Sequence, residues 1–192
     1  MTRELPLFPL QTVLFPGGPL NLRIFEPRYL DMVARVLRGD NRFGVVAIRA
    51  GSEVGAADTF TVGTTAEIVD WHQSDGLLAI TAAGRESFRI EHASREPDGL
   101  YVGRVTLLAE PPASAVPAEH AKLARLLETL LAQLPSYPNA APAYDDATWV
   151  GARLAGLLPL TLALKQALLE IRDPLARLDR IAACLRVESS LA

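Results

Sequence analysis

From Leu5 to about Leu108 the apolar positions fall in short continuous or alternating runs bounded by turn residues, and after Leu108 they recur at steps of three and four. Segments such as Arg42–Arg49 and Gly76–Ala82 have the length and period of strands. Gly17-Gly18-Pro19, Gly39-Asp40-Asn41, Gly55 and Pro97-Asp98-Gly99 supply the bends between them, because Gly and Asn tolerate positive φ and Pro fixes its own. The pattern predicts a compact, strongly bent sheet or barrel. One helix interrupts it: Pro27 suits a first helical turn, Tyr29, Leu30, Val33 and Leu37 form a stripe at helical spacing, and Gly39 ends it.

The composition shifts through Ala-Glu-Pro-Pro-Ala-Ser-Ala-Val-Pro117, a linker-like stretch, into a region of Ala, Leu and charged residues. There Leu123, Leu126, Leu127, Leu130, Leu131 and Leu134 share one helical face. Pro135 to Pro142 breaks this helix, Asp145 or Asp146 can cap the next, Thr161 a third after Pro159, and Asp173-Pro174 starts the last. In that last helix Leu175, Leu178, Ile181, Ala182 and Leu185 form another stripe, so four helices predict a small bundle.

Composition narrows the classes. With 192 residues, 49% hydrophobic and 21% charged, the chain can bury a core without metal or disulfide. A net charge of −3 gives no general attraction to nucleic acid or anionic lipid. One cysteine, Cys184, excludes an intrachain disulfide and a thiolate metal cluster, and prolines break the only early apolar run. A soluble, unprocessed, cytoplasmic protein is expected.

The opening Glu4-Leu-Pro-Leu-Phe-Pro-Leu through Phe25-Glu-Pro-Arg-Tyr-Leu-Asp-Met-Val33 resembles the signature of the Lon protease N-terminal (substrate-binding) domain family. Gly63-Thr-Thr-Ala-Glu-Ile68 is similar to that family's central strand, and Gly84-Arg-Glu-Ser-Phe-Arg-Ile90 to the strand that follows. Leu154-Ala-Gly-Leu-Leu-Pro-Leu160, Lys165–Glu170 and Asp173–Leu178 are similar to its helical half, so the resemblance spans nearly the whole chain. It implies an α+β fold: a PUA-like β-barrel over residues 1–110, with one helix near 27–38, then a helical bundle over 111–192. It also implies a free-standing, non-enzymatic module that recognises exposed apolar or unfolded polypeptide segments in protein quality control. Such a module would serve as adaptor to a protease or chaperone, since the chain ends before the family's ATPase and peptidase domains would begin.

Candidate chemistry is sparse. No G-x-x-x-x-G-K-[ST] loop occurs, and the two lysines, Lys122 and Lys165, read as solvated charges on helices. His72, His92 and His120 lack ligand spacing, Asp145-Asp146 reads as a cap, and Cys184 among apolar neighbours reads as a buried thiol. No catalytic residue, cofactor or metal is expected.

Binding candidates are Glu26, Arg28 and Tyr29 at the strand-to-helix junction, against the plainer reading that Glu26 caps the helix, Arg28 pairs with an acid and Tyr29 packs. Tyr137 and Tyr144 flank the loop expected to expose aromatic side chains. Pro6-Leu-Phe-Pro9 fits P-x-x-P, but Leu5, Leu7, Phe8 and Leu10 around it are expected to enter the barrel. Two alternatives stand beside polypeptide binding. One is an RNA-binding PUA-like module, which requires Arg23, Arg28, Arg42, Arg85, Arg89 and Arg104 to form one stripe. The other is a structural homodimer binding a small ligand in an enclosed polar pocket.

Overall fold

The structure is a computed structural model that describes residues 1–53, 57–134 and 142–189. It is α+β and divides into two compact units, Met1–Ala109 and Glu110–Ala192.

The first unit holds strands β1 (Thr2–Leu10), β2 (Pro19–Ile24), β3 (Arg42–Gly51), β4 (Ala57–Ser74), β5 (Leu77–Arg95) and β6 (Tyr101–Leu107), with helix α1 (Pro27–Val36) between β2 and β3. The strand order is β2-β5-β4-β3-β1-β6, and β5 also pairs with β6, so five strands close a circuit. Among the described residues only β1 and β3 pair in parallel. The segments Gly76–Ala82 and Gly84–Ile90, expected as separate strands, are one 19-residue strand. Its first half pairs with β2 and its second with β6. The change of partner falls at Gly84, which exchanges backbone hydrogen bonds with Gly17 and Gly18 and lies so close to Phe15 that a Cβ there would sit 2.3 Å from the Phe15 carbonyl oxygen.

β1 is buried on both faces, which explains why its sequence is a continuous apolar run rather than an alternation. Leu5 and Leu7 meet Val46, Phe88 and Val105 in a cluster to which β1, β3, β5 and β6 contribute. Phe8 and Leu10 point the other way, under Tyr29, Met32, Val33 and Val36 of α1. All four apolar side chains expected to enter the interior are therefore buried, but in two separate cores. The buried face of α1 is also rotated from the expected stripe: Met32 and Val36 are inside, Leu37 is half-buried and Leu30 is 37% exposed.

In the second unit a single 3-10 turn (Ala118–His120) leads into α2 (Ala121–Ala132), followed by α3 (Ala147–Leu157), α4 (Leu162–Glu170) and α5 (Pro174–Ser189). α3 packs against each of the other three helices. Local chemistry starts these helices as expected: Asp146 accepts from the Thr148 N–H, Thr161 from Leu164 and Asp173 from Leu175. Among the described residues no helix is long and apolar enough to cross a membrane.

Candidate functional site

Pro27 starts α1 because its missing N–H falls where a helix has no partner for one. This puts Glu26 at the N-cap, yet its side chain caps nothing. It pairs instead with Arg28 at 2.8 Å. Arg28 is 8% exposed and donates to the Gly99 carbonyl at 3.0 Å and the Glu53 carbonyl at 3.2 Å. One guanidinium thereby ties the start of α1 to the β5–β6 turn and to the residues after β3, while its Nε is buried with no hydrogen-bond partner among the described residues. Tyr29 is 3% exposed, stacks on Phe8 with ring centroids 3.9 Å apart, and lies beneath Arg28 at 4.6 Å. Burial pushes its phenol up to about 12, against the opposing pull of Arg28. The signature thus forms a strut, with Arg28 and Tyr29 withdrawn from the surface.

Tyr144 belongs to the other unit, where it meets Trp149 edge-on at 5.3 Å and is half-buried. Tyr137 lies outside the described residues. The structure therefore brings Glu26, Arg28 and Tyr29 together, and Tyr144 packs separately.

A different set of residues carries the apolar core out to an exposed ring. Across β2, β5 and β4 the register aligns Leu20, Ala82 and Ile68, then Leu22, Ile80 and Trp71, then Ile24, Leu78 and Gln73. These rows lie on the face that continues the core under α1. The middle row runs from half-buried Leu22 through Ile80, 2% exposed, to Trp71, 55% exposed at the margin. Trp71 reaches this face because the pairing shifts between Ile68 and Asp70, which makes Val69 an extra residue. Without that bulge the strict alternation would turn Trp71 away. Val69 itself is 54% exposed. Phe25 and Leu30 hold the N′ and N4 positions of a hydrophobic staple around the Glu26 cap, yet Phe25 is 63% exposed.

Charge is distributed in pairs. Arg42 bridges Glu67 and Glu86, both at 3.2 Å, Arg85 reaches Glu67 at 3.0 Å, and Arg23 faces Asp75 at 3.9 Å. Burial pushes the Glu86 carboxyl up, but its own backbone, Thr65 and Arg42 together hold it below the usual range. Four of the six arginines considered for RNA, Arg23, Arg28, Arg42 and Arg85, are thus matched by carboxylates. In the helical unit a cavity of about 330 Å³ is lined by Pro159, Leu160, Thr161, Leu164, Arg180, Ala183 and Cys184. It is mostly apolar and open, and Cys184 is half-buried at its wall. Lys165, expected to be solvated, is half-buried and donates to the Gly156 carbonyl at the end of α3, and burial lowers its pKa. His120 is buried and meets Asp179 at 2.9 Å. No group of three metal-ligating side chains occurs among the described residues.

A circuit of five strands with a helix over it, followed by a helical unit, defines a domain of α+β class. The chain belongs to the ATP-dependent protease La (LON) substrate-binding domain family, whose pattern it matches over residues 4–186. It is similar to the Lon N-terminal domain protein from Xanthomonas campestris, with 37% identity, a TM-score of 0.79, and 94% of this chain and 98% of that one covered. Lon protease 2 of Myxococcus xanthus is 29% identical over 188 residues, 92% of this chain and 23% of that protein. Protein cereblon of Xenopus tropicalis is 30% identical over 113 residues, 56% of this chain and 24% of that protein. The chain thus spans about a quarter of the length of these two relatives. The N-terminal domain of a Mycobacterium avium complex Lon protease, at 18% identity, shares the fold with a TM-score of 0.63.

Proposed function

We propose that this domain is a non-enzymatic polypeptide-binding module that recognises exposed apolar segments of unfolded chains and acts as adaptor to a protease or chaperone. It is built on this reading as a PUA-like β-barrel over residues 1–110 and a helical bundle over 111–192. The observation that carries the proposal is the Leu22–Ile80–Trp71 row, an apolar strip that leaves the core and ends on a large exposed ring. Such a strip can accept varied apolar side chains without strict sequence demand, as a reader of unfolded chains requires. Membership in the substrate-binding domain family supports the same reading. The pairing of the arginines with carboxylates weighs against RNA.

The test is fluorescence anisotropy of a labelled unfolded polypeptide rich in aromatic and aliphatic residues, titrated with the domain, beside a folded control and a structured RNA. Saturable binding of the unfolded chain alone is expected, weakened roughly tenfold by Trp71→Ala through lost apolar burial. Binding that favours RNA and falls steeply with salt, or no binding to the unfolded chain, overturns the proposal.

A further inference from the structure

β4 is longer than the strand beside it. β3 accompanies it as far as the Arg42–Glu67 pair, and the Ile68 N–H then donates to the Asn41 carbonyl at 2.9 Å. From Asp70 to Ser74 β4 is paired with β5 on one side, and among the described residues no strand lies on the other. Residues 69–73 are all exposed. The direction of the unpaired groups follows from one hydrogen bond. The Trp71 N–H donates at 2.8 Å to the carboxylate of Asp70 and not to β5, so it points to the open edge. In a regular antiparallel strand the N–H and C=O of one residue share a side, and that side recurs two residues on, so Gln73 presents its backbone to the same edge.

An open edge invites any extended chain, and natural sheets guard such edges with charge. Here the guard is Asp70, whose carboxylate occupies the Trp71 donor, with Asp75 exposed at the hairpin tip. No Lys or Arg lies between Val69 and Gly76. The bulge at Val69 sends Trp71 to the apolar face and Asp70 to the opposite one. The edge therefore offers backbone groups in the middle, an aromatic side chain on one face and a carboxylate on the other.

We propose that the 69–74 edge of β4 takes an extended polypeptide segment as an added strand, and selects one whose apolar side chains alternate with Lys or Arg. The apolar side chains lie beside Trp71, and a basic side chain on the other face pairs with Asp70. That pairing draws the carboxylate off the Trp71 N–H and frees the donor for the incoming carbonyl. An acidic segment would leave the donor covered and meet like charge. The same argument disfavours a second copy of this chain, because its own edge from Val69 to Gly76 carries no Lys or Arg to pair with Asp70. The inference rests on the polypeptide-binding reading and specifies its mode.

The experiment measures anisotropy with three short labelled peptides: alternating Phe/Leu with Lys, alternating Phe/Leu with Glu, and the Lys peptide N-methylated at alternate backbone positions. Each is titrated with the wild type, Gln73→Pro, which removes an edge donor and leaves Trp71, Ile80 and Leu22 in place, and Asp70→Asn. The Lys peptide is expected to bind at least roughly tenfold tighter than the Glu peptide, and Asp70→Asn to erase most of that difference. Gln73→Pro and N-methylation are each expected to weaken the Lys peptide by a similar factor. If circular dichroism shows Gln73→Pro unfolded, the N-methylated peptide decides alone. Binding of the Lys peptide indifferent to N-methylation, yet lost in Trp71→Ala, overturns strand addition and leaves the apolar reader intact. Equal binding of Lys and Glu peptides overturns the selection. Dimerisation by light scattering that Gln73→Pro abolishes, with no peptide bound, identifies a second copy as the occupant and overturns the proposal. Failure to bind even the unfolded polypeptide removes both readings.

Discussion

Arg28 separates a structural role from a binding role for the opening signature. Its guanidinium is 8% exposed and serves three partners: the Gly99 carbonyl, the Glu53 carbonyl and the Glu26 carboxylate. Replacing it with Met keeps the stem's volume and removes every polar contact. A hydrogen bond to a charged group contributes about 1.5–3 kcal/mol net, and the Glu53 contact, less buried, belongs at the lower end. Removing the guanidinium also leaves the Gly99 carbonyl without that donor and Glu26, 22% exposed, without its counter-charge. Arg28→Met should therefore cost about 3 kcal/mol, lowering the thermal midpoint by roughly 6–12 °C if the chain unfolds as one cooperative unit. Arg28→Lys should fall between, since an ammonium can follow Glu26 but cannot fork to two carbonyls.

Urea unfolding followed by circular dichroism measures this, with an unchanged m-value showing that stability and not compactness has moved. Anisotropy with the unfolded polypeptide, at a temperature where the variant is folded, measures the other half. Affinity per folded molecule should be close to that of the wild type. A variant as stable as the wild type that no longer binds would refute the reasoning, because Arg28 would then touch the ligand.

Two glycines test the packing around Phe88. A Cβ at Gly44 would meet side-chain atoms, Leu7 Cδ2 at 2.7 Å and Phe88 Cζ at 2.9 Å, whereas at Gly63 it would lie 2.3 Å from the Val45 carbonyl oxygen. Both Ala substitutions should destabilise by about 1–3 kcal/mol or more, but Leu7→Ala should offset part of the loss at Gly44 and none at Gly63, as a double-mutant cycle in urea would read. Tyr29, held up to about 12 by burial, stays protonated in the fold when the unfolded chain ionises near its ordinary 10. That contribution, on the order of 2–3 kcal/mol, is present below pH 10 and lost as pH rises to 12; ultraviolet titration of the native protein should show a late tyrosine, and phenols all titrating near 10 would contradict it. Asp146→Ala should cost about 1 kcal/mol through loss of the Thr148 cap, while Asp145→Ala, at an exposed position, should be nearly neutral by the same unfolding assay.

Features decided within a few residues were readable from the sequence. Pro27, Asp146, Thr161 and Asp173 start helices because capping needs only one side chain and a neighbouring N–H. The order of strands before helices followed from the change of period, and with it the α+β class. What was missed depends on partners far along the chain. Phe8 and Leu7 are adjacent and equally apolar, and only the helix lying over one face of β1 assigns them to different cores. β5 looked like two segments because Gly84 interrupts its pattern, although that glycine only makes room for Phe15. Asp75-Gly76 was an available signal: both residues have positive φ and join β4 to β5 in a two-residue turn, as Asp-Gly between strand runs would predict.

Trp71 shows why the candidate surface stayed hidden. Counting by twos from buried Ala66 and Ile68 puts Asp70 on the core face and Trp71 outside, where a lone exposed ring would carry no argument. The extra residue at Val69 reverses that parity for the rest of β4, so the ring joins Ile80 and Leu22 while the carboxylate of Asp70 turns to the opposite face. No local propensity in Ile68-Val69-Asp70 announces the bulge; it exists because β4 must keep register both with β3 at Glu67 and with β5 beyond it. Deleting Val69 removes only the extra residue, so Ile68–Ala82, Asp70–Thr81 and Trp71–Ile80 become consecutive regular pairs and the parity that puts Trp71 beside Ile80 is kept. Tryptophan fluorescence of the deletion variant should therefore retain its response to the unfolded polypeptide, and loss of that response in a folded variant would mean that the strip depends on the bulge itself and not on the parity it sets.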